Sequence, residues 1–249
     1  MVAAGSKGIG FAVAQELIAE GARVSLCSRS QETVNAAVDA LGPRAKGYAC
    51  DVSRVEDIDS WFNRTLEDLG KPSILVTNTG GPPAGPVGQM TDTQWTEGFE
   101  STLMNVVRMV RRATPLMESD GWGRIVHITS LVAKEPSRLL PISSTLRSGL
   151  MSLTRLQASE LAPSGVTVNA VLPGHTMTDR QRHLIEIIAS RDGITLDEAQ
   201  ARQAQTNPMG RIGEASEIAA AVAFLCSTRA SFITGVSLLV DGGATKGMG

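Results

Sequence analysis

Ala3-Ala4-Gly5-Ser6-Lys7-Gly8-Ile9-Gly10 stands at the head of the chain, and from Gly8 to Glu20 the apolar residues recur at the three-to-four spacing of a helix. A loop rich in glycine that runs straight into a helix lets backbone N–H groups and the helix N-terminus approach a phosphate closely. The stretch is therefore expected to be the first turn of a β-loop-α unit, with the backbone of Gly5, Ser6, Lys7, Gly8, Ile9 and Gly10 facing a pyrophosphate. Only Met1 to Ala3 precede it, fewer than the roughly five residues of an ordinary strand. Either the first strand begins upstream of Met1, or it is a stub that leaves its neighbours short of ladder hydrogen bonds.

Outward from the loop, short β-rich runs alternate with helical patterns. Strands are expected at Arg23–Ser28, Lys46–Cys50, Ser73–Thr77, Arg124–Thr129, Thr167–Leu172 and Ser237–Val240. Helices are expected at Gly8–Glu20, Gln31–Leu41, Val55–Leu69, Thr93–Glu118, Ser144–Leu161 and Ala215–Leu225, with Gly21, Gly42 and Gly70 at helix ends. Such alternation specifies an α/β fold, a doubly wound (Rossmann) parallel sheet with helices on both faces. Residues 179–207 break the rhythm: polar, helix-prone and poor in apolar periodicity, they are expected to form a mobile lid or substrate loop.

The composition agrees with one domain over residues 1–249. At 249 residues, 42% hydrophobic and 19% charged, the chain can bury one sizeable core. The net charge is −2 and the pI about 6.0, with Lys and Arg scattered, so neither a nucleic acid nor an anionic membrane is expected as partner. A small molecule is. Cys27, Cys50 and Cys226 sit in apolar contexts without paired spacing, which suits buried thiols and no metal site. No long apolar run or signal-like N-terminus is present, and a cytoplasmic protein is expected.

After the run Arg23–Ser28, where an acidic side chain would accept hydrogen bonds from a ribose 2'-hydroxyl, the chain reads Ser28-Arg29-Ser30. A guanidinium suits a 2'-phosphate instead, and Lys7 adds a second cation on the same side. NADP(H) is thus the expected cofactor, NAD(H) the less favoured one; Arg29 as a plain solvated charge is the bland alternative.

These motifs, with Gly123-Arg124-Ile125-Val126-His127-Ile128-Thr129-Ser130, Val168-Asn169-Ala170-Val171-Leu172-Pro173-Gly174, Asn207-Pro208-Met209-Gly210-Arg211 and Val240-Asp241-Gly242-Gly243, resemble the short-chain dehydrogenase/reductase family in order and spacing along essentially the whole chain. The resemblance is to members like the 3-oxoacyl-carrier-protein reductases. It implies adenine contacts at Asp51 and Val52, a strand end near the ribose at Asn78-Thr79-Gly80, cofactor contacts at Pro173 and Gly174, and a nicotinamide contact at Thr178. The family's loop reads Thr-Gly-x-x-x-Gly-x-Gly; here Ala3 and Ala4 hold the first two places.

The resemblance also exposes a departure. The family's Tyr-x-x-x-Lys place carries Ser143-Ser144-Thr145-Leu146-Arg147, and the only tyrosine is Tyr48, far upstream. Thirteen residues before Ser143 stands Ser130, the family's serine that orients a carbonyl. The family's asparagine place falls on Thr102, with Asn105 one helical turn later. Serine is a much poorer acid than tyrosine, while Arg147 keeps its proton and can hold ribose hydroxyls, an oxyanion or a carboxylate. His175 and Lys134 are candidate replacement acids, His175 having the better pKa range, whereas His127, inside a strand, is expected to pack in the core. An oxidoreductase acting on a carbonyl or alcohol with an atypical proton supply is expected; a non-catalytic cofactor-binding partner subunit and non-redox chemistry on the same scaffold are the alternatives. The resemblance implies a homodimer or homotetramer, for which the stripe Leu146, Leu150, Leu153, Leu156 is suited, as it is for an internal core face.

Overall fold

A computed structural model describes residues 1–247. In chain order the elements are α1 (Gly8–Ala19), β1 (Val24–Ser28), α2 (Gln31–Leu41), β2 (Ala45–Ala49), α3 (Val55–Leu69) and β3 (Ile74–Thr77). After these come α4 (Asp92–Phe99), α5 (Asn105–Ser119), β4 (Gly123–Ile128), α6 (Pro141–Leu161) and β5 (Val166–Pro173). The chain ends with α7 (Asp179–Asp192), α8 (Leu196–Gln205), α9 (Ala215–Cys226) and β6 (Ser237–Val240). The strands are parallel and lie in the order β2-β1 and β3-β4-β5-β6, and Val2 bridges the two groups by pairing with Leu26 on one side and Val76 on the other.

The short start thus keeps most of its ladder. Val2 donates to Ser25 O (2.8 Å) and accepts from Cys27 (3.2 Å), Ala3 donates to Val76 O (3.0 Å), and Val76 donates to Met1 O (2.9 Å). The expected shortage of hydrogen bonds is corrected: along Met1 to Ala3 the backbone groups alternate, Val2 bonding to β1 and Met1 and Ala3 to β3, so both neighbours keep ladder bonds here. These three residues also create the topological switch point. From Val2 the chain moves outward through β1 and β2, then returns to the other side at β3, which opens a crevice at the carboxyl ends of the strands.

Each face of the sheet carries its own core. On one side Val13 and Leu17 of α1, Val34 of α2 and Ile218 and Val222 of α9 pack on Leu26, Val76 and Val126. On the other, Trp61 and Phe62 of α3, Met109 and Met117 of α5 and Leu150 of α6 pack on Leu75 and Ile125. Strands β4 and β5 are buried along their whole length, as expected for central parallel strands covered on both faces. His127 is fully buried, its Nδ1 2.8 Å from Thr77 Oγ1 and its Nε2 3.0 Å from Gln157 Oε1.

The helix expected over Thr93–Glu118 is interrupted. Between α4 and α5 a π-turn spans Glu100–Met104, and Asn105 N–H reaches back to Glu100 O. The extra residue rotates everything after it relative to a regular helix, so Thr102 and Asn105 do not follow the phase assumed from sequence. The expected loop at 179–207 is also more ordered than its composition implied. It forms α7 and α8, which close a small cluster of Ile185, Ala189, Ala199 and Ile212, and the Gln181 and Gln203 side chains hydrogen-bond across them. Apolar residues are few there, but Ile185 and Ala189 stand four apart and share a face. The leucine stripe divides: Leu150 is buried and Leu153 packs on the core, while Leu156 is 68% exposed.

Candidate active site

The glycine-rich turn sits at the switch point because its glycines permit it. A Cβ on Gly10 would lie 2.3 Å from Ala4 O and 2.9 Å from Asn78 Nδ2, and one on Gly8, whose φ is +54°, would meet Thr178 Cγ2 at 3.2 Å. The absent side chains therefore bring three elements together: the turn, the end of β3, and the start of α7. Asn78 Nδ2 donates to Ala4 O at 3.4 Å, and Thr178 caps α7 by accepting from Gln181 N–H at 3.2 Å. Ala4 has a φ of +46°, which an L-residue adopts at a cost.

Beside the turn, Ser6, Lys7 and Gly8 line a groove with Phe11, Glu32, Thr33 and Asp179. Thr33 links the two stretches singled out in the sequence: its Oγ1 lies 3.1 Å from Ser28 Oγ and donates to Ser6 Oγ at 3.4 Å. Sequence spacing missed Thr33, although its place in the first turn of α2, three residues after the cap Ser30, was a signal. Lys7 and Arg29 are exposed, with their charges open to solvent. Burial alone would raise the Asp51 carboxyl, but hydrogen bonds from Ser53 N–H and Oγ, with the charges of Arg29 and Arg54, hold it below the usual carboxylate range. Val52 beside it is buried. A hydroxyl row next to two exposed cations fits the 2'-phosphate of NADP(H), and the turn closed by Gly10 fits a pyrophosphate.

The residues at the end of β4 form a second group. Ser130 caps the short turn Leu131–Ala133, its Oγ accepting from Val132 N–H at 3.3 Å. Ser143 and Arg147 are one turn apart on α6, both buried, and Arg147 Nε donates to Ser143 Oγ at 3.1 Å. Arg147 Nη1 donates to Ile128 O (3.0 Å) and Thr129 O (2.7 Å), so the guanidinium pins the strand end that carries Ser130. Burial and, less, the nearby Arg180 lower the Arg147 pKa to about 10, which still leaves it a cation at neutral pH. Ser148 Oγ donates to Ala133 O at 2.6 Å, and Ser144 Oγ accepts from Ser137 N–H at 3.1 Å, fastening the intervening loop to the helix.

Thr102, on the π-turn that packs against α6, and Asn105, the first residue of α5, are fully buried, and Thr102 Oγ1 and Asn105 Nδ2 have no hydrogen-bond partner among the described residues. Pro173 ends β5 and Gly174 follows, where a Cβ would lie 2.7 Å from Asp241 Cα. His175 stands apart from the Ser130 group. It lines a separate cavity with Asn207, Arg211, Glu217 and Asp241, and burial lowers its pKa against a smaller opposing effect of Gln181. Gly80 is open, with nothing within 4 Å of a Cβ there. Among the described residues no cluster of metal-ligating side chains exists, and no helix is long and apolar enough to cross a membrane.

Residues 3–245 match the family described as Enoyl-(Acyl carrier protein) reductase. The chain is 35% identical over 243 residues to the 3-oxoacyl-(acyl-carrier-protein) reductase FabG of Salmonella typhimurium (strain LT2), covering 98% of this chain and 95% of that one. Its structure is similar to that of an actinorhodin polyketide ketoreductase with NADPH (TM-score 0.96, 31% identity, 99% of this chain and 96% of that one). It is also similar to L-sorbose reductase from Gluconobacter frateurii complexed with NADPH and L-sorbose (TM-score 0.94, 28% identity, 99% and 96% covered).

Proposed function

The chain belongs to the short-chain dehydrogenase/reductase family, and we propose that it is an enzyme moving a hydride between NADP(H) and a carbonyl or alcohol carbon of a small molecule. The observation that carries this reading is the Arg147 guanidinium hydrogen-bonded at once to Ser143 Oγ and to the carbonyls of Ile128 and Thr129, directly before Ser130. When bound, NADP(H) supplies the hydride. Gly5, Ser6, Lys7, Gly8, Ile9 and Gly10 would hold its pyrophosphate, Ser28, Arg29, Lys7 and Thr33 its 2'-phosphate, Asp51 and Val52 its adenine. Asn78, Gly80, Pro173, Gly174 and Thr178 would shape the nicotinamide end.

In this reading Ser143 and Arg147 take the places of the family's tyrosine and lysine. The hydroxyls of Ser130 and Ser143 donate to the substrate oxygen, and the charge of Arg147, carried through its bond to Ser143, stabilises the alkoxide that forms. The proton that completes the alcohol comes from water in the cleft, since neither serine nor a guanidinium is a competent acid near neutrality. Thr102 and Asn105 offer unpaired polar atoms behind α6, His175 acts only if the lid brings it inward, and α7 with α8 forms that lid. Self-association is supported by the exposed Leu156 on α6 and Leu238 on the edge strand β6.

The inward commitment of Arg147 also suits a second reading, a cofactor-binding partner subunit without turnover, because an arginine so bonded can serve as a structural pin alone. Oxidation of NADPH by the homogeneous protein over a panel of ketones and aldehydes separates the two. Turnover that falls sharply in Ser130→Ala and rises in the double variant Ser143→Tyr, Arg147→Lys supports the enzyme; NADPH binding with no oxidation of any carbonyl in either form supports the pin.

A further inference from the structure

Arg147, buried, and Arg180, half-buried, are two cations without a carboxylate counter-ion among the described residues. Among the described residues no carboxylate lies within 4.0 Å of either. Arg180, in the first turn of α7, donates from Nη2 to Pro82 O at 2.6 Å, and its guanidinium lies over Gly81, where a Cβ would come within 3.1 Å of Nε and Nη2. Pro82 in turn borders Gly98, as do Ile142 and Leu146, so the segment that Arg180 holds packs against the start of α6, the helix that carries Ser143 and Arg147. Each charge makes the other's burial costlier, and the lowered pKa of both guanidinia follows from burial first, joined at Arg147 by the charge of Arg180. An anion between them would remove that cost.

We propose that Arg147 and Arg180 bind a carboxylate of the substrate, so that the reacting molecule is an oxo acid, or its hydroxy acid, with a free carboxylate near the carbonyl. The free donors can meet the two oxygens of a carboxylate. Nε and Nη1 of Arg147 and Nη2 of Arg180 are already engaged, which leaves Nη2 of the first and Nε and Nη1 of the second for two oxygens. The cofactor's pyrophosphate is a poor candidate for this place. Asp179, one residue earlier, faces the groove of Ser6, Lys7 and Gly8, and the next residue on a helix is turned away by roughly 100°. The carbonyl part of the proposal rests on the redox reading above; the anion site does not.

Calorimetric titration of the protein saturated with NADP+ tests it, using short 2-oxo and 3-oxo acids, their methyl esters, and inorganic phosphate as probes. The acids should bind at least about 10-fold more tightly than the esters and than phosphate. In Arg180→Gln that preference disappears while NADP+ affinity stays within about twofold, and Arg180→Lys, which keeps the charge, restores part of it. Equal binding of acids and esters by the unmodified protein, tighter binding of phosphate, or loss of NADP+ affinity in Arg180→Gln in step with the acids would each overturn the proposal. Failure of the redox reading looks different: the acids bind and depend on Arg180, yet none is reduced. Conversely, reduction of neutral ketones that Arg180→Gln leaves unchanged, without acid preference, retains the redox reading and removes the anion site.

Discussion

Replacing Gly10 by alanine should loosen the crevice at the switch point. The added Cβ would stand 2.3 Å from Ala4 O and 2.9 Å from Asn78 Nδ2, against a normal carbon–oxygen contact of about 3.3 Å, so about 1 Å must open against backbone. Overpacking of that kind costs about 1–3 kcal/mol, and the better helix propensity of alanine returns about 1 kcal/mol. A net loss of up to about 2 kcal/mol corresponds to a fall of up to about 8 °C in Tm for a chain of this size. Because the same shift moves the N–H groups of the turn, NADPH affinity should fall by about 10-fold or more. Thermal unfolding and a fluorescence titration with NADPH measure both, with Gly88→Ala as control, since nothing lies within 4 Å of a Cβ there. If Gly10→Ala melts with the control and binds NADPH as tightly as the unmodified protein, the close approach of turn, β3 and Asn78 is not what requires glycine at position 10.

Ala4→Gly should act in the opposite sense, raising Tm by a few degrees in the same scan, because the φ of +46° costs alanine about 1–2 kcal/mol, of which the extra freedom of unfolded glycine cancels part. Burial, only partly opposed by the hydrogen bond to Gln157, lowers the pKa of His127 from 6.5 to about 4, so its neutral form is fully favoured above pH 6.5 and that stability disappears as pH falls toward 4. The loss amounts to about 3 kcal/mol, visible as a steeper drop in urea-unfolding free energy from pH 7 to pH 4 than in His127→Asn; parallel slopes would contradict it. Arg29→Asp should invert cofactor preference, weakening NADPH binding by about 10-fold or more and improving NADH, as read by paired titrations. A loss that is equal for both cofactors would place Arg29 outside the 2'-phosphate contact.

Much of the fold was readable because it depends on short periodicities. The alternation of apolar runs and helical stripes located every named strand to within one residue at either end, and Gly21, Gly42 and Gly70 did fall at helix ends. The place of the glycine turn, between one short strand and one helix, was likewise local, whereas the cofactor roles given to Ser28 and Lys7 belong to the proposed function. The π-turn at Glu100–Met104 was not visible, since one inserted residue hardly alters apolar spacing but rotates Thr102 and Asn105 against α6. His175, named as an acid from its neighbours Pro173 and Gly174, faces a cavity built by residues 207–243, whose course its own neighbourhood could not foretell.

By itself the sequence determined the α/β alternation, the glycine turn, the basic residues beside it, and the serine and arginine at positions 143 and 147. Only the tertiary structure decided that the three residues Met1 to Ala3 join two halves of a sheet, that Arg147 spends its donors on the end of β4, and that Arg180 arrives over Gly81 and Pro82. Those contacts join residues far apart in the chain, 98 positions in the case of Arg180 and Pro82, and nothing in local spacing encodes them. They follow from how the buried faces of separate helices settle on one sheet, a choice that minimises exposed apolar area over the whole chain at once.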